Sequence, residues 1–512
     1  MSERRKFYLT TAIDYANGSP HLGHALEKIG ADAIVRYRRL RGDDVFFLMG
    51  LDEHGQKVAQ TAAAAGVTPQ AWTDRIAAEF TAMWERLEIS NDDFLRTTEP
   101  RHHEAVHEMI RRMRERGDLY RASYAGYYCV GCESYKNEDE LVEGRCEIHP
   151  TREVEWLEEE NWFFRLSAYQ EPLRRLLEER PSFIEPASRR NEVLRMIDEI
   201  KDISVSRSRL SWGIPWPGDP GHSVYVWIDA LTNYLSATGF PAPGFERLWP
   251  ADLHVIGKDI TRFHCVYWPA MLMSAGLALP EQVWAHGFVQ VGGGKMSKSS
   301  GVTVTLDEAI SRHGVDALRY YLLREIPWDA DGNFTWERFD ERYTAELAND
   351  LGNLASRTAA MLQKYRAGVV PAAARTALDE RADATIAAYA ERMDAFRLHE
   401  GLATVFELIA EANVFVETQA PWKLAKDAEK AAELDATLAS LIRALAVAAA
   451  LLTPFMPEKA TELWRRLGTR LDAPPLLDRL AALAPAGWHV ERGDVLFPRP
   501  ELAEVRRVKS EV

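Results

Sequence analysis

Cysteine is scarce in this chain, and long hydrophobic runs are missing. Four cysteines among 512 residues exclude a fold that depends on a framework of disulfides. The alanine- and leucine-rich stretch 444–452 is shorter than the roughly 18 apolar residues of a membrane-spanning helix. The first residues are charged and lead into an apolar strand, unlike a secretory signal. These absences predict a cytoplasmic protein that does not bind a membrane.

An excess of positive charge is also missing. The chain has 62 lysines and arginines against 77 aspartates and glutamates, a net charge of −15. Proteins that bind nucleic acid mainly through its phosphates are usually basic, so the composition argues against that class. A local basic surface on an acidic body is still compatible with it and is enough to read a structured RNA at a few positions.

Two histidines stand at the start of a predicted helix. The apolar, extended segment 7–13 is followed by Asn-Gly-Ser-Pro, which supplies turn and helix-start signals. Apolar residues then recur at helical spacing, at Leu22, Leu26, Ile29, Ala33, Tyr37 and Leu40. His21 and His24 therefore lie one turn apart at a helix N-terminus, which favours phosphate binding. A structural pair or a metal-binding pair of histidines would have the same spacing.

A second phosphate-binding candidate is the glycine-rich segment that begins at residue 292. It reads Gly-Gly-Gly-Lys-Met-Ser-Lys-Ser and carries Lys295 and Lys298. Glycines allow a loop to close over a ligand, and lysine is a mobile point charge suited to phosphate. A solvated basic loop is the alternative interpretation.

Polar residues also follow other predicted strands. Asp52 comes after the apolar strand 45–49. Gly257 ends the strand 253–257, Asp259 follows it, and His286 lies in the strand that begins at residue 283. The carboxyl ends of parallel strands meet at one edge of a sheet, where ligands bind. We therefore expect these residues beside one pocket, although an aspartate after a strand is more often a helix cap.

Three of the four cysteines form a cluster with a histidine. Cys129 and Cys132 form one Cys-x2-Cys pair, and Cys146 and His149 follow after 13 residues. Two such pairs on loops are typical of a tetrahedral, structural zinc site. Chance clustering is the alternative.

The secondary-structure pattern predicts an α/β protein with a Rossmann-type parallel sheet, split by a zinc-knuckle insertion and followed by an α-helical bundle. Strand and helix alternate in the sheet segments, whereas the bundle is alanine-rich and helical throughout. The predicted segments are 1–116 and 216–340 for the sheet, 117–215 for the insertion, 341–485 for the bundle and 486–512 for a tail.

His-Leu-Gly-His near the N-terminus and Lys-Met-Ser-Lys-Ser about 270 residues later resemble the paired motifs of class I aminoacyl-tRNA synthetases. Three further segments narrow this resemblance to the methionyl-tRNA synthetase family: Asp-Glu-His-Gly from residue 52, Val-Trp-Ile-Asp-Ala-Leu from residue 226 and Ala-Pro-Trp from residue 420. Asp14 and Leu231 stand where one large branch of the family has prolines. This departure and the single knuckle suggest the shorter branch with one zinc site.

The resemblance implies a role for each matching residue. Catalysis is implied for His21, His24, Lys295 and Lys298. ATP binding is implied for the same four with Gly23, Gly257 and Asp259. Methionine binding is implied for Ala12, Ile13, Tyr15, Asp52, Trp227, Ala230, Leu231, Tyr234 and His286. Anticodon reading is implied for Asn353, Arg357 and Trp422.

The implied reaction joins L-methionine to tRNA(Met), including the initiator tRNA, through a methionyl-adenylate made from ATP. One structural Zn²⁺ and Mg²⁺ bound with ATP are the implied cofactors. No sequence follows the bundle that could form an appended dimerisation domain, so a monomer is expected.

Three other functions fit part of the pattern. Synthetases for branched amino acids carry a large editing insertion, and the insertion here is too short for one. A nucleotidylyltransferase with the histidine motif would not need the helical bundle. A retired paralogue that only binds RNA would not need both phosphate motifs.

Overall fold

The computed structural model describes residues 4–129, 134–136, 141–142, 144–147, 153–208, 210–291, 294–295, 304–469 and 471–499. The chain divides into two compact units. The sheet unit comprises residues 6–31 and 44–286, and the helical unit comprises residues 1–5, 32–43 and 287–512. The five segments predicted from the sequence stay a prediction.

The strands of the sheet unit are β1 (Lys6–Thr11), β2 (Asp14–Tyr15), β3 (Asp44–Asp52), β4 (Asp93–Arg96), β5 (Leu119–Cys129), β6 (Ser134–Lys136), β7 (Leu141–Val142), β8 (Arg145–Cys146), β9 (Glu155–Phe164), β10 (Ile184–Glu185), β11 (Ile203–Ser204), β12 (Ser206–Arg207), β13 (Ser223–Val224), β14 (Leu253–Gly257) and β15 (Val283–His286). The helical unit adds β16 (Val289–Val291), β17 (Gly294–Lys295) and β18 (Gly332–Phe334).

The helices of the sheet unit are α1 (Leu22–Arg41), α2 (Gln56–Ala64), α3 (Pro69–Arg86), α4 (Pro100–Glu115), α5 (Gln170–Glu179), α6 (Ala187–Asp198), α7 (Val226–Ser236) and α8 (Trp268–Ala275). Residues 32–41 of α1 belong to the helical unit. That unit also contains α9 (Leu306–His313), α10 (Val315–Glu325), α11 (Trp336–Arg342), α12 (Asn353–Arg366), α13 (Ala377–Asp394), α14 (Leu398–Gln419), α15 (Pro421–Leu424), α16 (Ala431–Leu452), α17 (Pro457–Arg466) and α18 (Leu477–Leu480).

The central sheet is parallel, which confirms the predicted α/β class. Among the described residues it has seven strands in the order β10-β15-β14-β1-β3-β2, with β4 also paired to β3. Every pairing in it runs parallel. Every residue of β14 is buried, as expected for strands covered on both faces. The loops that follow β1, β3, β14 and β15 therefore leave from the same edge of the sheet.

The predicted insertion folds differently. Strands β5 and β9 pair antiparallel from Leu119 with Phe164 to Tyr128 with Glu155, and β11 and β6 extend this sheet. Antiparallel pairing explains why the strand–helix alternation of the sequence stops in this region. Cys129 and Cys146, two of the predicted zinc ligands, lie at the ends of β5 and β8.

Helices α13, α14 and α16 form the core of the bundle in the helical unit. The side chain of Thr376 caps α13 by accepting the N–H of Leu378, and Asp379 completes a capping box. In the described part of the chain, residues Ala428–Leu452 have the length and apolar composition of a membrane span. Within this stretch, 83% of the apolar 18-residue window is buried inside the fold. Burial to this extent is usual for the core helix of a bundle.

A buried ion pair lies within the helical unit. Arg319 Nη2 lies 2.6 Å from Asp32 Oδ2, and both side chains are fully buried. The same guanidinium donates to the carbonyls of Pro454 and Phe455, between α16 and α17. Such a charge is tolerated in a core because its hydrogen bonds are satisfied. The pair fixes the second half of α1 against the bundle within this unit.

Candidate active site at the carboxyl edge of the sheet

The two motif histidines form the N-terminal cap of α1. The imidazole Nδ1 of His21 accepts the backbone N–H groups of Gly23, at 3.1 Å, and of His24, at 3.4 Å. The Nδ1 of His24 accepts the N–H of His21 at 3.3 Å, and the two rings stack with centroids 3.7 Å apart. A Cβ at Gly23 would lie 3.0 Å from the His21 ring. Glycine between the histidines thus leaves room for the cap.

These contacts decide where each imidazole carries its proton. An Nδ1 that accepts a hydrogen bond is unprotonated, so the proton of the neutral ring is on Nε2. Burial lowers the pKa of His24 well below its ordinary value, and the nearby His21 and Lys28 lower it further. His24 is therefore neutral near pH 7 and presents an Nε2–H donor at the helix N-terminus.

Tyr234 is buried on α7, and a chain of hydrogen bonds fixes its hydroxyl. Its hydroxyl lies 2.7 Å from His264 Nε2, and His264 Nδ1 lies 3.0 Å from the carbonyl oxygen of Ile260. Since the carbonyl can only accept, Nδ1 of His264 is the protonated atom, and Nε2 accepts from the tyrosine. Burial lowers the pKa of His264 to about 4, so this arrangement persists at neutral pH.

An aromatic stack lies beside this pair. The rings of Trp227 and Phe263 are parallel, with centroids 3.5 Å apart and planes 5° from each other. Ala230 and Leu231 are buried one turn along α7 from Trp227. Phe263 and His264 were not predicted from the sequence. Their one sequence signal is that they follow Asp259 within two helical turns, after the end of β14.

The loop after β3 is fixed by a buried carboxylate. Asp229 accepts from His54 Nδ1 and from His102 Nε2, each at 2.7 Å, and His102 Nδ1 contacts Ser236 Oγ at 2.8 Å. Burial alone would raise the pKa of Asp229, but the two histidines outweigh it, and the pKa falls below its ordinary value. His54 is two residues from Asp52, so this cluster holds Asp52 at the strand end.

Strand register brings several predicted residues together. Tyr15 pairs with Asp52, and Gly257 pairs with His286. Ala12 donates its N–H to the carbonyl of Val255 at 3.0 Å. The methionine-binding and histidine-motif residues predicted from the sequence thus all lie in the sheet unit. His286 is buried, and its Nε2 lies 3.0 Å from Glu27 Oε2. The methionine-binding role that was expected from its place before the lysine loop stays a prediction.

Of the two predicted lysines, Lys295 is among the residues that the structure describes and Lys298 is not. The backbone of Lys295 lies in β17 and pairs with Gln290 of β16. Lys298 lies outside the described residues, as do Cys132 and His149. Cys129 and Cys146 are both buried. The part of the chain that the structure describes holds no group of three metal-ligating side chains, but it contains just two of the four predicted zinc ligands.

The three predicted anticodon residues lie on α12 and α15 of the helical unit. Asn353 and Arg357 are one turn apart on α12 and reach solvent. Trp422 is the second residue of α15 and has 37% of its surface exposed. Arg357 Nη2 forms an ion pair with Glu417 of α14 at 2.6 Å. An exposed indole and a guanidinium are side chains suited to an unstacked base.

Family models match nearly the whole chain. The model described as tRNA synthetases class I (M) matches residues 7–153 and 137–359. The model for the anticodon binding domain of methionyl tRNA ligase matches residues 366–509. The two matches meet within α12, so Asn353 and Arg357 fall in the first match and Trp422 falls in the second.

Curated relatives and solved structures agree with the family models. The chain is similar to the methionine–tRNA ligase of Streptomyces coelicolor, at 44% identity over 97% of each protein. It is 44% identical to that of Thermotoga maritima, over 99% of this chain and 82% of the relative. A solved Mycobacterium tuberculosis methionyl-tRNA synthetase in complex with methionyl-adenylate is similar with a TM-score of 0.93, at 42% identity over 97% of this chain and 100% of the other. This chain belongs to the methionyl-tRNA synthetase family of class I aminoacyl-tRNA synthetases.

Proposed function

We propose that the protein activates L-methionine with ATP and transfers the methionyl group to tRNA(Met), including the initiator tRNA. The observation that carries this proposal is the full-length similarity to an enzyme solved with methionyl-adenylate. The geometry of the sheet unit supports it independently, because the histidine motif follows the edge strand β2 of a parallel sheet and the predicted Trp227 forms an aromatic stack with Phe263.

In the first step, a methionine carboxylate oxygen attacks the α-phosphorus of ATP. A P–O bond forms to the carboxylate, the bond to the bridging oxygen breaks, and pyrophosphate leaves. The Nε2–H groups of His21 and His24 donate to the oxygens of this phosphorus in the proposed step, as negative charge builds up. Lys295 and Lys298 neutralise the leaving pyrophosphate, with Gly23, Gly257 and Asp259 around the nucleotide. Mg²⁺ bound with ATP supplies further neutralisation.

The methionine site is built from the residues around Tyr234. Asp52 binds the ammonium group, and Ala12, Ile13 and Tyr15 line the same strand ends. Trp227, Ala230, Leu231 and Tyr234 enclose the thioether, because aromatic rings make favourable contacts with sulfur. We add Phe263 and His264 to this group, since the first stacks on Trp227 and the second fixes the tyrosine hydroxyl. His286, at the neighbouring strand end, completes this group, and its Nε2 lies 3.0 Å from Glu27.

In the second step, a hydroxyl of the terminal ribose of tRNA attacks the methionyl carbonyl, and AMP leaves. Recognition of the anticodon is assigned to Asn353, Arg357 and Trp422. The ion pair between Arg357 and Glu417 orients the guanidinium before RNA binds. We propose that one structural Zn²⁺ is held by Cys129, Cys132, Cys146 and His149. A cytoplasmic location and a monomeric state stay predictions.

Selectivity for methionine is the direct test of the reaction. ATP–pyrophosphate exchange by the purified protein, scanned across amino acids, should respond to methionine far more strongly than to leucine or isoleucine. The physical reason is that the methionine side chain is unbranched and carries a sulfur atom, which the aromatic rings of the proposed site contact favourably. Equal exchange with leucine would contradict the proposal and favour another class I synthetase.

Substitution of His24 tests the neutral donor. His24→Ala should lower kcat/KM of exchange by about 10²–10³, the range for losing one preorganised donor. His24→Gln, which places its amide where Nε2 was, should retain more activity than His24→Asn, which places it at Nδ1. The ratio of wild-type to His24→Gln activity should stay constant between about pH 6 and 9, because a neutral donor does not titrate there.

Methionine binding without ATP, followed by tryptophan fluorescence, is the control for these variants and should be unchanged. Lys298→Ala should lower exchange in the same range, because it removes a charge from the leaving pyrophosphate. A His24→Asn variant as active as His24→Gln would show that Nε2 is not the donor.

Metal content tests the zinc site. We expect about one zinc per chain, lost in Cys129→Ser and in Cys146→Ser, with local unfolding of the insertion because the metal supplies most of its stability. Cys265→Ala is the matched control, since Cys265 is a buried cysteine outside the cluster and its variant should keep the metal. Elemental analysis that finds no zinc in the wild-type protein would refute the assignment.

Separation of recognition from chemistry is tested at Trp422. Trp422→Ala should weaken tRNA interaction by about 1–3 kcal/mol, as base stacking usually does, and leave methionine-dependent exchange nearly untouched. Trp422→Phe should retain most of the charging rate, since a phenyl ring still stacks. A parallel fall of charging and exchange in the alanine variant would mean that Trp422 supports the fold instead.

A further inference from the structure

Lys28 is a fully buried lysine whose ammonium has three acceptors. Its Nζ donates to the carbonyl oxygen of Ala12 at 2.8 Å and to Glu27 Oε1 at 2.6 Å, and it lies 3.0 Å from Asp14 Oδ1. An ammonium group has three N–H donors, so each of them has a partner. Two of the acceptors belong to residues 12–14, and the third belongs to the residue that precedes Lys28 in α1.

This group of charges reaches four elements of the sheet unit. Ala12 follows β1, Asp14 begins β2, and Glu27 is one turn into α1. The second oxygen of Glu27 lies 3.0 Å from His286 Nε2 at the end of β15. Lys28 therefore connects the histidine-motif helix to the strand ends on both sides of it.

Lys28 contacts Asp14, which lies on the face of β2 opposite to Tyr15, one of the proposed methionine-binding residues. Paired residues of parallel strands share a face, and neighbours alternate. Tyr15 pairs with Asp52, whereas Asp14 pairs with Leu51, so Asp14 points to the opposite face. Burial agrees: Asp14 is buried, while Ala12, Ile13 and Tyr15 are partly exposed. Lys28 thus binds one face of the segment 12–15, and Tyr15, a proposed methionine contact, lies on the other face.

Stability alone is a weak reason for charges at this place. Replacing a buried ion pair by apolar residues of similar volume is often neutral or stabilising. Burial raises the pKa of Asp14 to about 7, more than the attraction of Lys28 lowers it. Burial opposes the charge of Lys28, yet Asp14 and Glu27 outweigh it and raise the pKa of the lysine. The ammonium group instead orients its partners, because it binds one carbonyl and two carboxylates at the same time.

We infer that Lys28 is a positioning residue for methionine binding, which holds residues 12–15 and, through Glu27, His286 in the arrangement that receives the amino acid. This inference rests on the proposed function. Lys28 does not contact the substrate in this arrangement; it acts through Ala12 and Asp14. Its loss should therefore weaken methionine binding more than ATP binding.

The experiment compares Lys28→Met with a matched control at the other end of β1. Lys6 Nζ also donates to two carbonyls, of Leu248 and Pro250, and pairs with Asp252 at 2.9 Å. Exchange kinetics would be referred to folded enzyme by titration of active sites, with thermal unfolding measured in parallel. Lys28→Met should raise KM for methionine by about tenfold or more and leave KM for ATP within about twofold, as expected for lost positioning of one substrate. Lys6→Met should lower the unfolding temperature without changing KM for methionine.

A second pair of variants decides the matter if Lys28→Met does not fold. Asp14→Asn keeps an oxygen that accepts from Lys28 and should keep KM for methionine within about twofold of wild type, whereas Asp14→Leu removes the acceptor and should raise it about tenfold. A wild-type KM for methionine in Lys28→Met or in Asp14→Leu would overturn the inference. A parallel change of both KM values and kcat would overturn it as well. Failure of the proposed function looks different, because the wild type and Lys6→Met would then show no methionine-dependent exchange.

Discussion

Parallel strand pairing decides where ligands can bind in this protein. The pairings of β1 with β3 and with β14, and of β14 with β15, all run in the same direction. The segments after these strands therefore leave from one edge, where no strand continues to use their backbone groups. Ala12, Asp52, Gly257 and His286 come from four separate parts of the chain and are neighbours for this reason. The start of α1 adds two histidines to that edge, each with its Nδ1 engaged by backbone N–H groups.

The hydrogen bonds around this edge separate neutral groups from charged ones. His24 and His264 are kept uncharged by burial. His24 has its Nδ1 bound to a protein partner, whereas both ring nitrogens of His264 have one. The charges of Asp14, Glu27 and Lys28 are paired with each other behind β2. In the proposed reaction, a negative phosphate and a zwitterionic amino acid would thus meet oriented dipoles at this edge, with the charges of Asp52, Lys295 and Lys298 as the exceptions. Dipoles fixed in advance need little reorganisation when charge shifts during a reaction.

Local patterns were enough to predict the elements that carry the motifs. The helical spacing from Leu22 to Leu40 and the apolar strands around Leu48 and Val255 are periodic, and the structure has helix and strands there. Pro421 was expected to start a helix with Trp422, and it does. Pairings between distant residues could not be predicted. His264 supports Tyr234 across 30 residues, and Lys28 looks like one polar residue in an amphipathic helix until Asp14 is seen behind β2. No spacing rule distinguishes a buried lysine from a solvated one.

The division of α1 between two units has a consequence for dissecting the protein. The helical unit needs residues 32–43 in addition to everything from residue 287 onward. A fragment that begins at residue 287 would contain every bundle helix but would lack Asp32, the carboxylate that Arg319 contacts in the core. It would also lack Tyr37, whose hydroxyl donates to Asp394 at 3.0 Å. Separate expression of the bundle therefore calls for a graft of the second half of α1, supplied as a peptide or joined through a linker.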